Sequence, residues 1–174
     1  MPAVDPHWLA LPQRYLHIGQ GGIFLRPTLV QTVLGSCVAV VLHAKEYGVG
    51  GIFHAFLPNQ PQCPLAEDEG AFRYVDAGTR LLARLFARSG IASSAIVAKL
   101  FGGSVSLGLR PEEAVGTKNA VAARAAVAEL GIPVVAERLG GNTGYKLFFH
   151  TSSGEVLIKR LRGPQEIASL TCRQ

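Results

Sequence analysis

Apolar residues in this chain fall into short, β-branched runs cut by glycines, with two longer stretches of helical periodicity. Arg14–Ile18 and Gly22–Leu25 read as short strands on either side of Gly19-Gln20-Gly21. Leu29–Leu34 is a third strand and stops at Gly35. Val38–Leu42 is a continuous apolar run, the pattern of a strand buried on both faces; periodicity alone also allows a buried helix there. His43–Gly48 is polar and turns, and Val49–Phe56 resumes as a strand that ends at Leu57-Pro58. The last two runs predict an antiparallel hairpin.

Pro58–Gly70 is a loop carrying the acidic cluster Glu67-Asp68-Glu69. Ala71–Arg88 comes next as a helix, with Phe72, Val75, Leu82, Leu85 and Phe86 near a 3.6-residue period and Gly90 as the stop. Ala95–Phe101 is a strand that runs into Gly102-Gly103. Glu112–Leu130 is a second, alanine-rich helix closed by Gly131 and Pro133. Three strands complete the order: Ile132–Glu137, Tyr145–His150 and Val156–Leu161. Strands, helix, strand, helix, strands is not a βαβ alternation. It predicts an α+β or mixed α/β fold, a single-domain layered sandwich with a mainly antiparallel sheet and two main helices. One domain spans residues 1–174, with 1–13 and 163–174 expected to be peripheral or flexible.

With 48% hydrophobic and 17% charged residues, the chain has the material for a real core. Its apolar runs are far too short to span a bilayer, and Met1–Trp8 has no basic n-region, so a cytoplasmic protein without membrane insertion is expected. The net charge of +5 lies wholly in residues 88–174, which hold eleven Lys/Arg against six Asp/Glu. Such asymmetry favours an acidic partner. The basic residues are scattered, with no basic helix or aromatic RNA-binding motif, which argues against nucleic acid.

The three cysteines, Cys37, Cys63 and Cys172, form neither a disulfide framework nor a zinc knuckle. Cys63 in the proline-rich loop and Cys172 in the tail read as incidental thiols. Cys37 differs because it closes Leu34-Gly35-Ser36-Cys37, where small residues bend the chain between two strands. Backbone N–H groups freed around Gly35 and Ser36 can hold an oxyanion. Were a helix to begin after Cys37, its N-terminus would also lower the thiol pKa. His54 lies in an otherwise apolar strand, and the hairpin returns it towards Cys37, where it can take the thiol proton. A small buried cysteine and a core histidine bonded to a carbonyl are the bland alternatives. His7, His17, His43 (in a turn) and His150 show no metal-ligand spacing, and no phosphate-binding glycine motif appears, so no metal or cofactor is expected.

The segments Leu34-Gly35-Ser36-Cys37-Val38-Ala39-Val40 and Gly50-Gly51-Ile52-Phe53-His54-Ala55-Phe56-Leu57-Pro58 resemble the signature of the CheD family, the chemoreceptor glutamine deamidases. The similarity continues through Ala98–Gly103, Val115–Asn119, Gly131–Glu137 and Gly140–Asn142, so it covers about Ile18 to Leu161. The resemblance implies a layered α/β sandwich and hydrolysis of receptor glutamines to glutamates with release of ammonia. It implies Cys37 as nucleophile and His54 as its base, with no cofactor. The implied partners are the cytoplasmic helices of chemoreceptors as substrate and, where one exists, a CheC-type phosphatase. The family's third catalytic residue is a threonine six residues before the cysteine. That station is Gln31 here, with Thr32 five residues ahead, and one residue of offset flips a side chain across a regular strand. Thr32 is the expected orienting group, given a shorter turn or a bulge, and Gln31 the fallback. Ser104 and Ser106, after Gly102-Gly103, are candidates to line the site. Family members carry aspartate before the second Gly-Gly and arginine after it; here those stations are Arg138 and Tyr145, with Lys146 adjacent. Two further readings are a regulatory binding partner with little catalysis, and methyl-ester hydrolysis on the same receptors.

Overall fold

The structure, a computed structural model, describes residues 5–61, 68, 70–105, 110 and 112–161. Cys63, Cys172, Ser106, Glu67 and Glu69 lie outside the described residues.

The expected hairpin is the centre of the molecule. Strands β1 (Gln13–Tyr15), β2 (Gly21–Phe24), β3 (Leu29–Leu34), β4 (Val38–Ala44) and β5 (Val49–Ala55) open the chain after a one-turn helix α1 (Pro6–Leu9). α1 was not legible in the hydrophobic pattern because none of its residues is buried; the Asp5 carboxylate caps it by accepting from His7 N. β4 and β5 pair antiparallel with Val38 opposite Ala55 and Ala39 opposite His54. Then come helix α2 (Val75–Arg88), β6 (Val97–Gly102), helix α3 (Val115–Glu129), β7 (Val134–Leu139), β8 (Tyr145–His150) and β9 (Val156–Arg160).

The strands divide into two sheets where one was expected, of order β2-β5-β4-β6-β7 and β1-β3-β8-β9. β1–β3 and β6–β7 are parallel and the other pairings antiparallel, in line with the mainly antiparallel expectation. Every residue of β4 and β5 is buried, because the five-stranded sheet is covered on both sides. Val38, Val40, Leu42, Phe53 and Ala55 pack under α2 and α3, against Leu82, Phe86, Ala123 and Val127. The alternate residues Ala39, Val41, Ile52 and Phe101 face the second sheet, against Val30, Leu34, Leu147 and Phe149. Helices, five strands, four strands is therefore the layer order.

Two expectations shift at the helices. Ala71–Arg73 is a turn of 3-10 helix, and Tyr74 is extended, so α2 begins at Val75. The reason is Arg73, whose carbonyl accepts from Phe56 N and Leu57 N, tying this segment to the end of β5. α3 begins at Val115, three residues later than expected, because Ala114 is extended. Gly78 inside α2 costs about 1 kcal/mol of helix propensity relative to alanine. A Cβ there would run into the Phe53 ring, so the glycine is what lets α2 sit directly on β5.

Candidate functional site

Cys37 ends the crossing from one sheet to the other: β3 belongs to the four-stranded sheet and β4 to the five-stranded one. All three carbonyls of the turn are fixed. Gly35 O accepts from Ser104 N at 2.9 Å, and Cys37 O from Gly103 N at 2.8 Å. Ser36 O accepts from Asn119 Nδ2 at 3.0 Å. Among the described residues, no backbone carbonyl takes the N–H of Ser36 or Cys37. A turn with anchored carbonyls and free N–H groups presents donors, the property an oxyanion site needs. The left-handed Gly102 (φ 107°) and Gly103 (φ 68°) make this stitching possible, since a Cβ on Gly102 would collide with the Cys37 carbonyl.

The chain leaves Cys37 as strand β4, so no helix begins at the thiol. Burial pushes the Cys37 pKa up, with a smaller opposing pull from its own backbone N–H. The side chain is half-buried and packs at the edge of the inter-sheet core.

His54 is on the same face as Cys37. Ala39 and His54 are directly opposed, and residue 37 is two positions along the chain from Ala39, so Cys37 and His54 are diagonal neighbours across the hairpin. His54 is 4% exposed. Its Nδ1 lies 2.8 Å from Thr32 Oγ1, which reaches in from β3 of the opposite sheet. The Thr32 hydroxyl donates its one proton to Leu16 O at 2.9 Å. It therefore accepts from His54, which assigns the ring proton to Nδ1 and leaves a lone pair on Nε2. Nε2 is buried and has no partner among the described residues. Burial drives the imidazole pKa down to about 4, against a smaller upward pull from the Leu16 carbonyl and a further lowering by His17. Burial thus favours a neutral thiol and a neutral imidazole at rest, so the proton passes to His54 only as the sulfur attacks.

Of the other expected residues, Gly35 and Ser36 form the turn itself, and Ser104 is buried beside Gly35. Thr32 shares the inward face of β3 with Val30 and Leu34. Gln31 points the other way and donates through Nε2 to Gln13 Oε1 at 2.7 Å, so it does not join Cys37 and His54. His43, expected in a turn, is the sixth residue of β4, which runs to Ala44. It is buried at the far end of the hairpin, with Nε2 3.1 Å from Ser152 O. Among the described residues, no group of three His, Cys, Asp or Glu is placed to hold a metal.

Asn119 is the residue that sequence motifs left without a role. It is fully buried, and besides Ser36 O its Nδ2 donates to Phe56 O at 3.2 Å. One carboxamide thus ties the residue before Cys37 to the residue two beyond His54. The available signal was position: Gly116, Asn119, Ala120, Ala123, Ala126 and Val127 share the buried stripe of α3, and Asn119 is the one polar member.

Fold and site together define a class: a three-layer α+β domain holding a thiol, an imidazole and a hydroxyl between its two sheets. The family described as CheD chemotactic sensory transduction matches residues 56–160. A Nitratidesulfovibrio vulgaris protein named "Probable chemoreceptor glutamine deamidase CheD" is 42% identical, over 95% of this chain and 86% of its own. A Geobacter sulfurreducens relative, CheD 2 of the same description, is 41% identical over 87% of this chain and 91% of its own. A relative from Methanococcus maripaludis, again named for CheD, is 29% identical over 82% of this chain and 92% of its own. The chain belongs to the CheD family.

Proposed function

We propose that this protein is a chemoreceptor glutamine deamidase that works through a thioester on Cys37. The observation that carries the reading is the His54 ring: held through Nδ1 by Thr32, it keeps a buried, unpartnered Nε2 on the face it shares with Cys37. The names of the relatives supply the substrate class.

Cys37 Sγ attacks the carboxamide carbon of a receptor glutamine while His54 Nε2 takes the thiol proton. The carbonyl oxygen becomes an oxyanion, held by the N–H groups of Ser36 and Cys37. Collapse of this adduct breaks the C–N bond, and imidazolium His54 protonates the departing amine, which leaves as ammonia. Neutral His54 then removes a proton from water, which attacks the thioester. The C–S bond breaks, glutamate is released, and the proton returns to the Cys37 sulfur. Thr32 receives the Nδ1–H throughout, which fixes the tautomer and stabilises the transient imidazolium. A low imidazole pKa lets His54 shed its proton readily to the leaving amine.

A cytoplasmic location belongs to the same reading, since the cytoplasmic helices of receptors are its substrate. No helix of the described residues is long and apolar enough to cross a membrane. Association with a CheC-type phosphatase belongs to it as well and is tested by co-purification with such a protein. The enzymatic claim is tested by intact-mass analysis of a receptor cytoplasmic fragment. Wild-type protein adds about one dalton per glutamine converted, the mass difference between amide and acid, and Cys37→Ala adds none. Full conversion by Cys37→Ala would refute the reading.

A further inference from the structure

A concave feature lies beyond the turn that carries Cys37. It is a cavity of about 410 Å³ whose walls are the end of β7, the β7–β8 turn and the facing part of β9. Its charged lining is Arg138 and Arg160, and no carboxylate lines it. Neither guanidinium has a carboxylate within salt-bridge distance among the described residues. The backbone N–H groups of Gly141, Asn142 and Thr143, all lining residues, have no partner among the described residues either. Several acceptors around it are already used. Arg138 O takes the Tyr145 hydroxyl, Gly141 O takes Val105 N, and Gly144 O takes Leu161 N. The Asn142 side-chain oxygen takes the Thr143 hydroxyl. Two unpaired cations and a run of unused backbone donors, with no carboxylate on the walls, select an anion. Behind the cavity Lys146 and Lys159 are directly opposed across β8 and β9, a like-charge pair that adds to the positive field.

The cavity is coupled to the nucleophile turn by short covalent and hydrogen-bonded steps. Tyr145, on its wall, accepts from Gly102 N at 2.5 Å, and the next residue, Gly103, donates to Cys37 O. Tyr145 is also the register partner of Leu34, and Gly144 packs against Leu34 O and Gly35. The cavity thus adjoins the turn that carries Cys37. We infer that the Arg138–Arg160 cavity is a substrate subsite that receives an acidic side chain flanking the target glutamine. The inference rests on the deamidase reading for its substrate, but the anion preference does not.

The test uses the full chain and a pair of fluorescein-labelled helical peptides of about 20 residues, long enough to hold helix. Each has one central glutamine, and they differ in a glutamate or an alanine one helical turn away. Anisotropy measures binding to the Cys37→Ser variant, and ammonia release measures turnover by the wild type. The expected result is about tenfold tighter binding and lower KM for the glutamate peptide, one charge-assisted contact's worth. R138A/R160A removes that preference, so that the glutamate and alanine peptides bind alike. R138E/R160E reverses the preference towards a lysine-flanked peptide, a readout that misfolding cannot imitate. Equal affinity of the wild-type cavity for both peptides would overturn the inference, as would equal weakening of both by R138A/R160A. Inorganic phosphate provides the third arm. Competition against the glutamate peptide alone supports the subsite, and phosphate binding without any peptide preference means a free-anion site and overturns it. Preference in binding with no ammonia from either peptide would leave the subsite standing and refute the deamidase reading instead.

Discussion

The β4–β5 hairpin carries a buried histidine near each end, and the two have opposite fates. His43 and His54 are each 4% exposed, both face the second sheet, and burial lowers the pKa of both. His43 Nε2 meets the Ser152 carbonyl, and Gly154 packs against its ring. A carbonyl only accepts, so this nitrogen carries the proton and His43 serves as a fixed donor. His54 meets a hydroxyl instead, through Nδ1, and keeps an unpaired Nε2. Burial alone thus does not leave a ring nitrogen free to take a proton. The difference lies in which nitrogen is engaged and in what stands on the same face: Cys37 at one end, and Lys99, bonded to the Gly154 carbonyl, near the other.

The sharpest way to break this comparison is at the sulfur. Cys37→Ala is expected to abolish ammonia release, a loss of at least about 10³-fold. Being half-buried, Cys37 should leave the denaturation midpoint nearly unchanged on substitution. The histidines come next. His54→Gln is expected to lower kcat by about 10²–10⁴-fold, the usual range for losing a general base. His43→Gln should keep kcat within about twofold while costing about 1–3 kcal/mol of stability, the penalty for an unmet buried partner. Equal kinetic losses in both variants, read from steady-state assays, would erase the distinction.

Asn119→Ala should affect both quantities. Two carbonyls lose their donor, so about 1–3 kcal/mol of stability goes, read by urea denaturation. The turn also loses its link to β5, and alkylation of Cys37 by iodoacetamide should change rate. Thr32→Val is a smaller lesion. It removes the hydroxyl but leaves the Leu16 carbonyl near the ring, so kcat should fall by about tenfold or less and the pH profile should shift.

Acid provides an independent probe. The His54 pKa is lowered in the folded state, so the unfolded chain binds the proton first as pH falls below the ordinary 6.5. The stability associated with neutral His54 is full above that value and is lost as pH falls towards about 4. The loss is on the order of 3 kcal/mol by linkage. His54→Gln should flatten that part of the pH–stability curve, and His43→Gln should flatten it less. A rate profile with its acid limb near 4 instead of 6.5 would match a base that stays neutral at rest.

Much of this was legible because the strands are written as β-branched runs bounded by glycine, and a hairpin fixes which residues share a face. Cys37 and His54 followed from that rule. The choice between Thr32 and Gln31 did not, because it depends on a crossing between two sheets, and no local period encodes its length. Val30, Thr32 and Leu34 turning inward settled the geometry. Nor was the division into two sheets visible, since a buried strand reads the same whatever covers it. Asn119 stayed hidden because its partners are backbone carbonyls 83 and 63 residues away.

The central claim, an acyl intermediate on Cys37 served by His54, is tested most directly by trapping. Wild-type protein turning over a glutaminyl peptide in the presence of hydroxylamine is predicted to yield the peptide hydroxamate. Acid quench without hydroxylamine is predicted to leave a thioester on the Cys37 peptide, seen by mass spectrometry. Glutamate formation with no hydroxamate and no adduct, or an adduct on any residue other than Cys37, would contradict the account.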